Sequence, residues 1–190
     1  MILFKDPGKT NTDDVLRCVK EQGEALGIKT CVLATTRGYT AERAAEILEG
    51  FDVVAVTHFT GLKGPNVQEL APDTRAQLEA SGVKVLTCGH TFFGMGRAVR
   101  LRFNTYQVDE VIAETLKLFG AGLKVAVEVS LMAADAGLIR TGENVLCVGG
   151  SGKGADTAVV LRAVNTADFF NMKIREILCK PAFDNDGGGS

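Results

Sequence analysis

Residues 31–40, CVLATTRGYT, pass from an apolar run of strand length into a short loop of Thr, Arg and Gly. Three other apolar runs, at 53–56, 83–86 and 145–148, end in loops of the same kind. An α/β protein with a parallel sheet collects its ligand site at the carboxyl ends of its strands. The pattern therefore predicts an α/β fold whose strand-end loops together bind a polar small molecule.

Helical patterns separate these apolar runs. Apolar residues at helical spacing predict helices that begin near Asn11, near Thr40 and at Pro72, and two more over 108–119 and 123–138. The chain after residue 156 is typical of a terminal strand pair, which would add an antiparallel edge to the sheet. This alternation predicts a three-layer α/β/α sandwich with a mostly parallel sheet and an antiparallel edge strand. Between the third strand and the next helix, residues 88–107 are predicted to be a long irregular segment that serves as a lid or binding loop.

Composition narrows the class of protein. A length of 190 residues suits one domain, predicted over 1–182, with a polar, Gly-rich tail over 183–190 that we expect to be disordered. The net charge of −2 argues against nucleic acid as a partner. Because no stretch is typical of a membrane span or a signal peptide, we expect a cytoplasmic protein with no membrane partner. Five cysteines without a C-x-x-C spacing argue against a disulfide framework and a metal site.

The loop after the first of the four runs is the strongest candidate for an anion site. It lies between a predicted strand and a predicted helix, whose first N–H groups have no partner within the helix. Its hydroxyls, a glycine and an arginine suit a phosphate group. The alternative is ordinary helix capping beside a solvated arginine. The residues predicted to bind phosphate are Thr35, Thr36, Arg37, Gly38, Tyr39 and Thr40.

The glycine-rich loop at 149–154 is not a Walker A motif, because Cys147 stands where its first glycine should be and Gly154 where its hydroxyl should be. The spacing of a dinucleotide fingerprint is present, but the next residues are strand-like, whereas that motif must open a helix. We expect a glycine loop that approaches a phosphate or a ring, the alternative being a tight turn without a ligand. The predicted contacts are Gly149, Gly150, Ser151, Gly152, Gly154 and Asp156.

The chain's two histidines, His58 and His90, both fall in strand-end loops, beside Thr57 and Gly89. Histidine exchanges protons near neutral pH, so both are candidate catalytic residues, the alternative being simple hydrogen bonding within the loops. A nucleophilic Cys88 paired with His90 is a less favoured reading.

Two carboxylates of the helix predicted over 123–138, Glu128 and Asp135, are seven residues apart and share one face. Such a pair can perform acid–base chemistry or hold a metal. A solvated stripe on the helix surface is the favoured interpretation.

Four stretches together resemble the pyruvate kinase C-terminal-domain-like family of stand-alone archaeal and bacterial proteins: Asp6-Pro7-Gly8 with Asn11-Thr12, and residues 36–41, 132–135 and 149–160. The resemblance implies the fold of the allosteric domain of pyruvate kinase without its catalytic barrel. In that domain a Thr/Ser-Gly loop after the first strand holds a phosphate of a sugar bisphosphate effector, and residues 35–40 match it in type and place. Pyruvate kinase activity is not implied, because a barrel with metal-binding carboxylates has no room in 190 residues.

The ligand that this resemblance implies is FMN. We therefore expect an FMN-binding protein, and a flavin-dependent oxidoreductase if it is an enzyme, with the phosphate at 35–40. The isoalloxazine ring is expected near 149–156, between the loops of His58 and His90. The alternative is a non-catalytic sensor that binds a sugar phosphate or nucleotide. The expected partner is a small phosphorylated ligand, and a homo-oligomer is compatible with the sequence.

Overall fold

The computed structural model describes residues 1–182, and within them seven strands form one mixed sheet. Its order is β1-β7-β6-β5-β2-β3-β4. In the described sheet, β6 runs antiparallel to both of its neighbours and every other pairing is parallel. The strands are β1 Ile2–Phe4, β2 Thr30–Ala34, β3 Asp52–Val56, β4 Lys84–Leu86, β5 Asn144–Gly149, β6 Thr157–Arg162 and β7 Lys173–Pro181.

Six α-helices of the described chain connect these strands, together with 3₁₀ helices at Lys9–Asn11 and Thr166–Asn171. Their starts agree with sequence signals, such as Pro72 at the first position of α3 and the Gln107–Glu110 capping box of α5. Helix α1 ends at Gly27 in the left-handed conformation. The helices are α1 Thr12–Leu26, α2 Tyr39–Ile47, α3 Pro72–Ala80, α4 Met95–Phe103, α5 Val108–Lys117 and α6 Ala121–Asp135.

Alternate residues of the central strands face two separate cores. In β2, Cys31 and Leu33 pack with α1, α2 and α3, whereas Val32 packs with α5 and α6 on the opposite face. Successive side chains of a strand point to opposite faces, so a strand buried on both sides is almost wholly apolar. The predicted three-layer α/β/α sandwich is confirmed.

The antiparallel strand lies inside the sheet rather than at its edge. Strands β6 and β7 form the predicted terminal pair, but β1 adds to β7 in parallel and becomes the edge. Three residues are too few to show a periodicity, so β1 could not be predicted from a local pattern.

The prediction of an irregular segment over 88–107 was wrong, because α4 occupies Met95–Phe103. This helix buries none of its residues completely, and the glycines at 94 and 96 near its start are typical of a loop. No helix within residues 1–182 combines the length and the apolar character needed to cross a membrane. The disordered tail predicted for 183–190 lies outside the described residues.

Candidate functional site

The loops that follow β5, β2, β3 and β4 meet at one edge of the sheet, because these four strands are parallel and adjacent. Helix α2 begins directly after the loop of β2, at Tyr39. Helix α6 begins against the end of β5, where a Cβ on Gly149 would overlap the carbonyl oxygen of Gly122. Strand ends and helix starts thus converge at this edge, as in α/β proteins that bind ligands there.

A cleft of about 230 Å³ opens at this edge, between the loops after β2, β3 and β4 and one face of α6. Of the residues predicted from sequence, five line it: Thr35, Thr36, Thr57, His58 and His90. Glu128 was considered as one of a carboxylate pair, and the other lining residues were not predicted: Ala34, Val56, Leu62, Phe93, Lys124, Val125, Val129 and Met132. Apolar residues of α6 form the floor and could not be told from ordinary core residues in the sequence.

The start of α2 has the features of an anion site. Thr35 is 5% exposed, and its hydroxyl is buried without a hydrogen-bond partner among the described residues. No side chain caps α2, so its first N–H groups are available to a ligand. Gly38 adopts a φ of 105°, and a Cβ there would lie 2.5 Å from Thr74 Cγ2, so the loop needs glycine at this position. Thr40 is buried beneath the same turn.

Two cations flank this loop. The Arg37 side chain is 78% exposed, and its guanidinium lies 3.5 Å from the Glu69 carboxylate. Lys9 Nζ lies 3.8 Å from the ring centre of Tyr39. The sequence could not show the approach of Lys9, because it arises from packing between segments thirty residues apart. A bound phosphate would compete with Glu69 for Arg37.

His58 is held by a carboxylate. Its Nδ1 lies 2.7 Å from Glu69 Oε2, and the Glu69 side chain is 9% exposed. The hydrogen bond from His58 lowers the pKa of Glu69, with smaller contributions from the charges of His58, Lys63 and Arg37, while burial opposes the shift. The pair leaves Nε2 of His58 as the ring nitrogen available to a ligand, an arrangement suited to proton transfer.

His90 lies in an aromatic cluster at the cleft. Its ring centre is 5.7 Å from that of His58, 5.2 Å from Phe59 and 6.3 Å from Phe93. Burial lowers the pKa of His90 most, and the charges of His58 and Lys124 lower it further, against opposing effects of Glu128 and the backbone of Thr57. His90 is therefore expected to be neutral at neutral pH.

A buried ion pair completes the cleft. Lys124 Nζ lies 2.6 Å from Glu128 Oε2, and the backbone N–H of Phe92 donates to Glu128 Oε1 at 2.9 Å. Their side chains are 13% and 5% exposed. The expected solvated stripe was therefore wrong for Glu128. Asp135 is exposed and accepts hydrogen bonds from residues 165 and 166 near the start of a 3₁₀ helix. A lysine four residues before Glu128 was the signal available in the sequence.

The glycine-rich loop makes contacts within the protein. Asp156 is fully buried and accepts hydrogen bonds from the backbone N–H groups of Gly8 and Ser151 and from the Thr157 hydroxyl. Gly154 packs against Lys9 and Thr12. In the described chain none of residues 149–156 lines the cleft. The loop leads into strand β6, not a helix, as expected for a sequence that is not a dinucleotide fingerprint.

Cys88 is not activated in this structure. Burial, and secondly the charge of Asp135, raise the pKa of its thiol. The thiolate is the nucleophilic form, so this environment does not favour the pair with His90 considered above. Within residues 1–182 there is no cluster of three or more His, Cys, Asp and Glu side chains that could hold a metal ion.

Comparison with known families identifies the chain. The family model described as pyruvate kinase, alpha/beta domain matches residues 13–161. The chain belongs to this family. The matched span of this pyruvate kinase alpha/beta domain contains every residue that lines the cleft, from Ala34 to Met132. Lys9 and strand β7 lie outside the span.

Solved structures similar to this family member include two of pyruvate kinase from Cryptosporidium parvum, 16% and 17% identical over 80% of this chain, with TM-scores of 0.43 and 0.42. A further structure of pyruvate kinase from Cryptosporidium parvum, in complex with ADP, is 18% identical over 80% of this chain, with a TM-score of 0.40. The chain spans 23%, 22% and 23% of the lengths of the chains in these three structures.

Proposed function

We propose that this protein binds a small phosphorylated ligand with a planar ring, and that the ligand is FMN. The observation that carries the proposal is the buried, unpartnered hydroxyl of Thr35 beside the uncapped start of α2. A buried hydroxyl without a partner costs about 1–3 kcal/mol. A phosphate oxygen at this position would remove that cost and would also accept hydrogen bonds from the first N–H groups of α2.

The neighbouring cleft suits the flat face of a ring. His90 and Phe93 line it, and Phe59 packs against the ring of His90. At about 230 Å³ the cleft is smaller than sites that enclose a drug-sized ligand, roughly 300–1,000 Å³, so we expect a partly exposed ring. We place the ring here rather than against residues 149–156, because none of those described residues lines the cleft and Gly154 packs on Lys9 and Thr12.

FMN would supply electron or hydride transfer when bound. The chain's own contribution would be binding, orientation and proton transfer: Glu69 orients His58, whose Nε2 can hold or move a proton at the cleft. We also propose a cytoplasmic location.

Family membership supports a second candidate, a non-catalytic sensor for a sugar phosphate or nucleotide. Such a ligand would use the same phosphate site at the start of α2. A sugar phosphate would not require the aromatic surface of His90 and Phe93 in the cleft, whereas the flavin ring would contact it. This difference distinguishes the two candidate functions.

Calorimetric titration with FMN and with riboflavin tests the proposal. We expect FMN to bind and riboflavin, which lacks the phosphate, to bind at least tenfold more weakly. Thr35→Val and Arg37→Ala should each weaken FMN binding, by roughly three- to tenfold, with little effect on riboflavin. Thr115→Val, which alters an exposed hydroxyl on α5, is the matched control and should change neither affinity.

Three outcomes would count against parts of this proposal. Failure to bind FMN would eliminate the flavin, and binding of a sugar phosphate or nucleotide instead would favour the sensor. Equal losses for FMN and riboflavin in Arg37→Ala would remove Arg37 from the phosphate site. Unchanged FMN affinity in Thr35→Val would place the phosphate elsewhere.

A further inference from the structure

Helices α4 and α5 carry a large apolar surface that no described residue covers. It consists of eight side chains that are 53–82% exposed, and we call it the α4–α5 patch. Its members are Met95, Leu101, Phe103, Tyr106, Val108, Val111, Leu118 and Phe119.

The patch is a second apolar face rather than the edge of the core. On α5, Glu110 and Ala113 are buried, and Val108, Val111 and Leu118 occupy the opposite side of the helix at helical spacing. Contacts of Arg100 with Glu110 and of Gly96 with Asp109 hold α4 beside α5. The two helices and the turn between them therefore carry exposed apolar side chains next to one another.

The size of the patch is that of a dimer interface. The three aromatic side chains, at roughly 150–250 Å² each when free, expose roughly 300–450 Å² here, and the five aliphatic side chains bring the total to roughly 1,000 Å². The largest apolar patch of a typical monomer is about 300–600 Å², whereas a stable interface covers about 800 Å² on each partner.

The charges around the patch complement each other. Helix α4 carries Arg97, Arg100 and Arg102, and α5 carries Asp109, Glu110 and Glu114. Arg100 pairs with Glu110 inside the chain, but Arg102 is exposed and has no ion-pair partner among residues 1–182. Glu114 is exposed and pairs with Lys117, which is also exposed.

In a dimer with a twofold axis, the same patch of each copy contacts the other. Every contact between two residues across the interface therefore occurs twice, with the two copies exchanged. Crossing α4 of one copy over α5 of the other would place arginines opposite carboxylates at both ends. An anionic membrane is a poorer occupant, because the carboxylates of α5 would face its phosphates.

We propose that the α4–α5 patch is the interface of a twofold-symmetric homodimer of this chain. The apolar side chains form its centre, and Arg102 of each copy faces Glu114 of the other at its rim. This proposal is independent of the proposed ligand.

Sedimentation equilibrium over a range of concentrations tests it. The wild-type chain should be a dimer. Leu101→Glu and Val111→Glu should each weaken dimerisation at least a hundredfold, because each buries an unpaired carboxylate at the centre. Leu26→Glu, which changes a half-exposed leucine at the end of α1, is the matched control and should remain dimeric.

A glutamate at the centre of the patch could disturb folding, so a second test exchanges the charges of Arg102 and Glu114 at the rim. Arg102→Glu alone and Glu114→Arg alone should weaken the dimer, and the double variant should recover it. A wild-type chain that is monomeric at all concentrations would overturn the proposal. A dimer that none of the four single substitutions weakens would also overturn it. A monomer that binds anionic vesicles would identify the patch as a membrane surface instead.

Discussion

Thr35 and Asp156 are buried polar residues near the carboxyl edge of the sheet, and they differ in whether their hydrogen-bonding groups have partners. This difference distinguishes a group that can bind a ligand from one that stabilises the fold. Thr35 has a buried hydroxyl without a partner among the described residues. Asp156 accepts hydrogen bonds on both carboxylate oxygens, from three different residues. A buried polar group that has all its hydrogen-bond partners within the protein stabilises the fold. A buried polar group without a partner is available to a ligand.

Asp156→Asn should destabilise the protein by about 2–3 kcal/mol, because an amide has one acceptor oxygen and its NH₂ group would face another donor. Urea denaturation measures the change. Asp168→Asn, at an exposed carboxylate bonded to Asn171, is the control and should change stability by about 0.5 kcal/mol or less. Equal effects of the two substitutions would contradict the structural role of Asp156.

The pair of His58 and Glu69 gives a prediction about pH. In His58→Ala the pKa of Glu69 should rise, because the hydrogen bond that chiefly lowers it is gone. Carboxyl chemical shifts measured by NMR across an acid titration report this pKa directly. His90→Ala is the control, since His90 makes no hydrogen bond to Glu69 in the described structure, and it should leave the Glu69 titration in place.

The lowered pKa of Glu69 also predicts how the stability of the protein changes with pH. A carboxyl group whose pKa is lower in the folded state stabilises that state above its unfolded value, about 4.3 for glutamate. This contribution is lost as the pH falls through the folded-state pKa. The wild type should therefore lose more stability than His58→Ala in this acid range, and an identical pH profile for both proteins would show that the pair does not stabilise the fold.

At the scale of elements, the close approach of β5 and α6 positions the cleft. Gly149 ends β5, and Gly122 lies in the first turn of α6. Their backbones are so near that a side chain on Gly149 would overlap the Gly122 carbonyl and lie 2.9 Å from the backbone nitrogen of Ala126. The same helix carries Lys124 and Glu128 into the cleft, so its position decides the shape of the site.

Gly149→Ala should therefore cost about 2–3 kcal/mol, because α6 must move away from the sheet. Thermal or urea denaturation would measure the loss. Gly89→Ala is the control: a Cβ there meets no atom within 4 Å, and the change should stay within about 0.5 kcal/mol. A Gly149→Ala protein as stable as Gly89→Ala would show that the helix can shift freely.

At the scale of the whole molecule, α4 lies between the candidate site and the proposed interface. Arg97 of α4 lies 4.1 Å from the ring centre of Phe93, which lines the cleft. Met95, Leu101 and Phe103 of the same helix belong to the α4–α5 patch. A dimer would therefore hold in place a helix that borders the site.

Much of the architecture could be predicted from local patterns. Apolar runs such as 53–56 predicted buried strands, and the start of α3 at Pro72 matched the structure. Strand β1 could not be predicted because it is held by β7, which is distant in sequence, and helix α4 could not because it buries no face of its own. The antiparallel strand was predicted, but its interior place depends on β1 pairing beyond β7.

The sequence by itself determined the layers of the fold and the loops that surround the cleft, because periodicity and strand-end glycines act over a few neighbouring residues. Only the tertiary structure decided that Glu69 holds His58, that Lys124 and Glu128 form a buried pair in the cleft, and that Asp156 is used inside the protein. Burial and partnership depend on which distant segments pack together, and the local pattern of a chain carries little information about that choice.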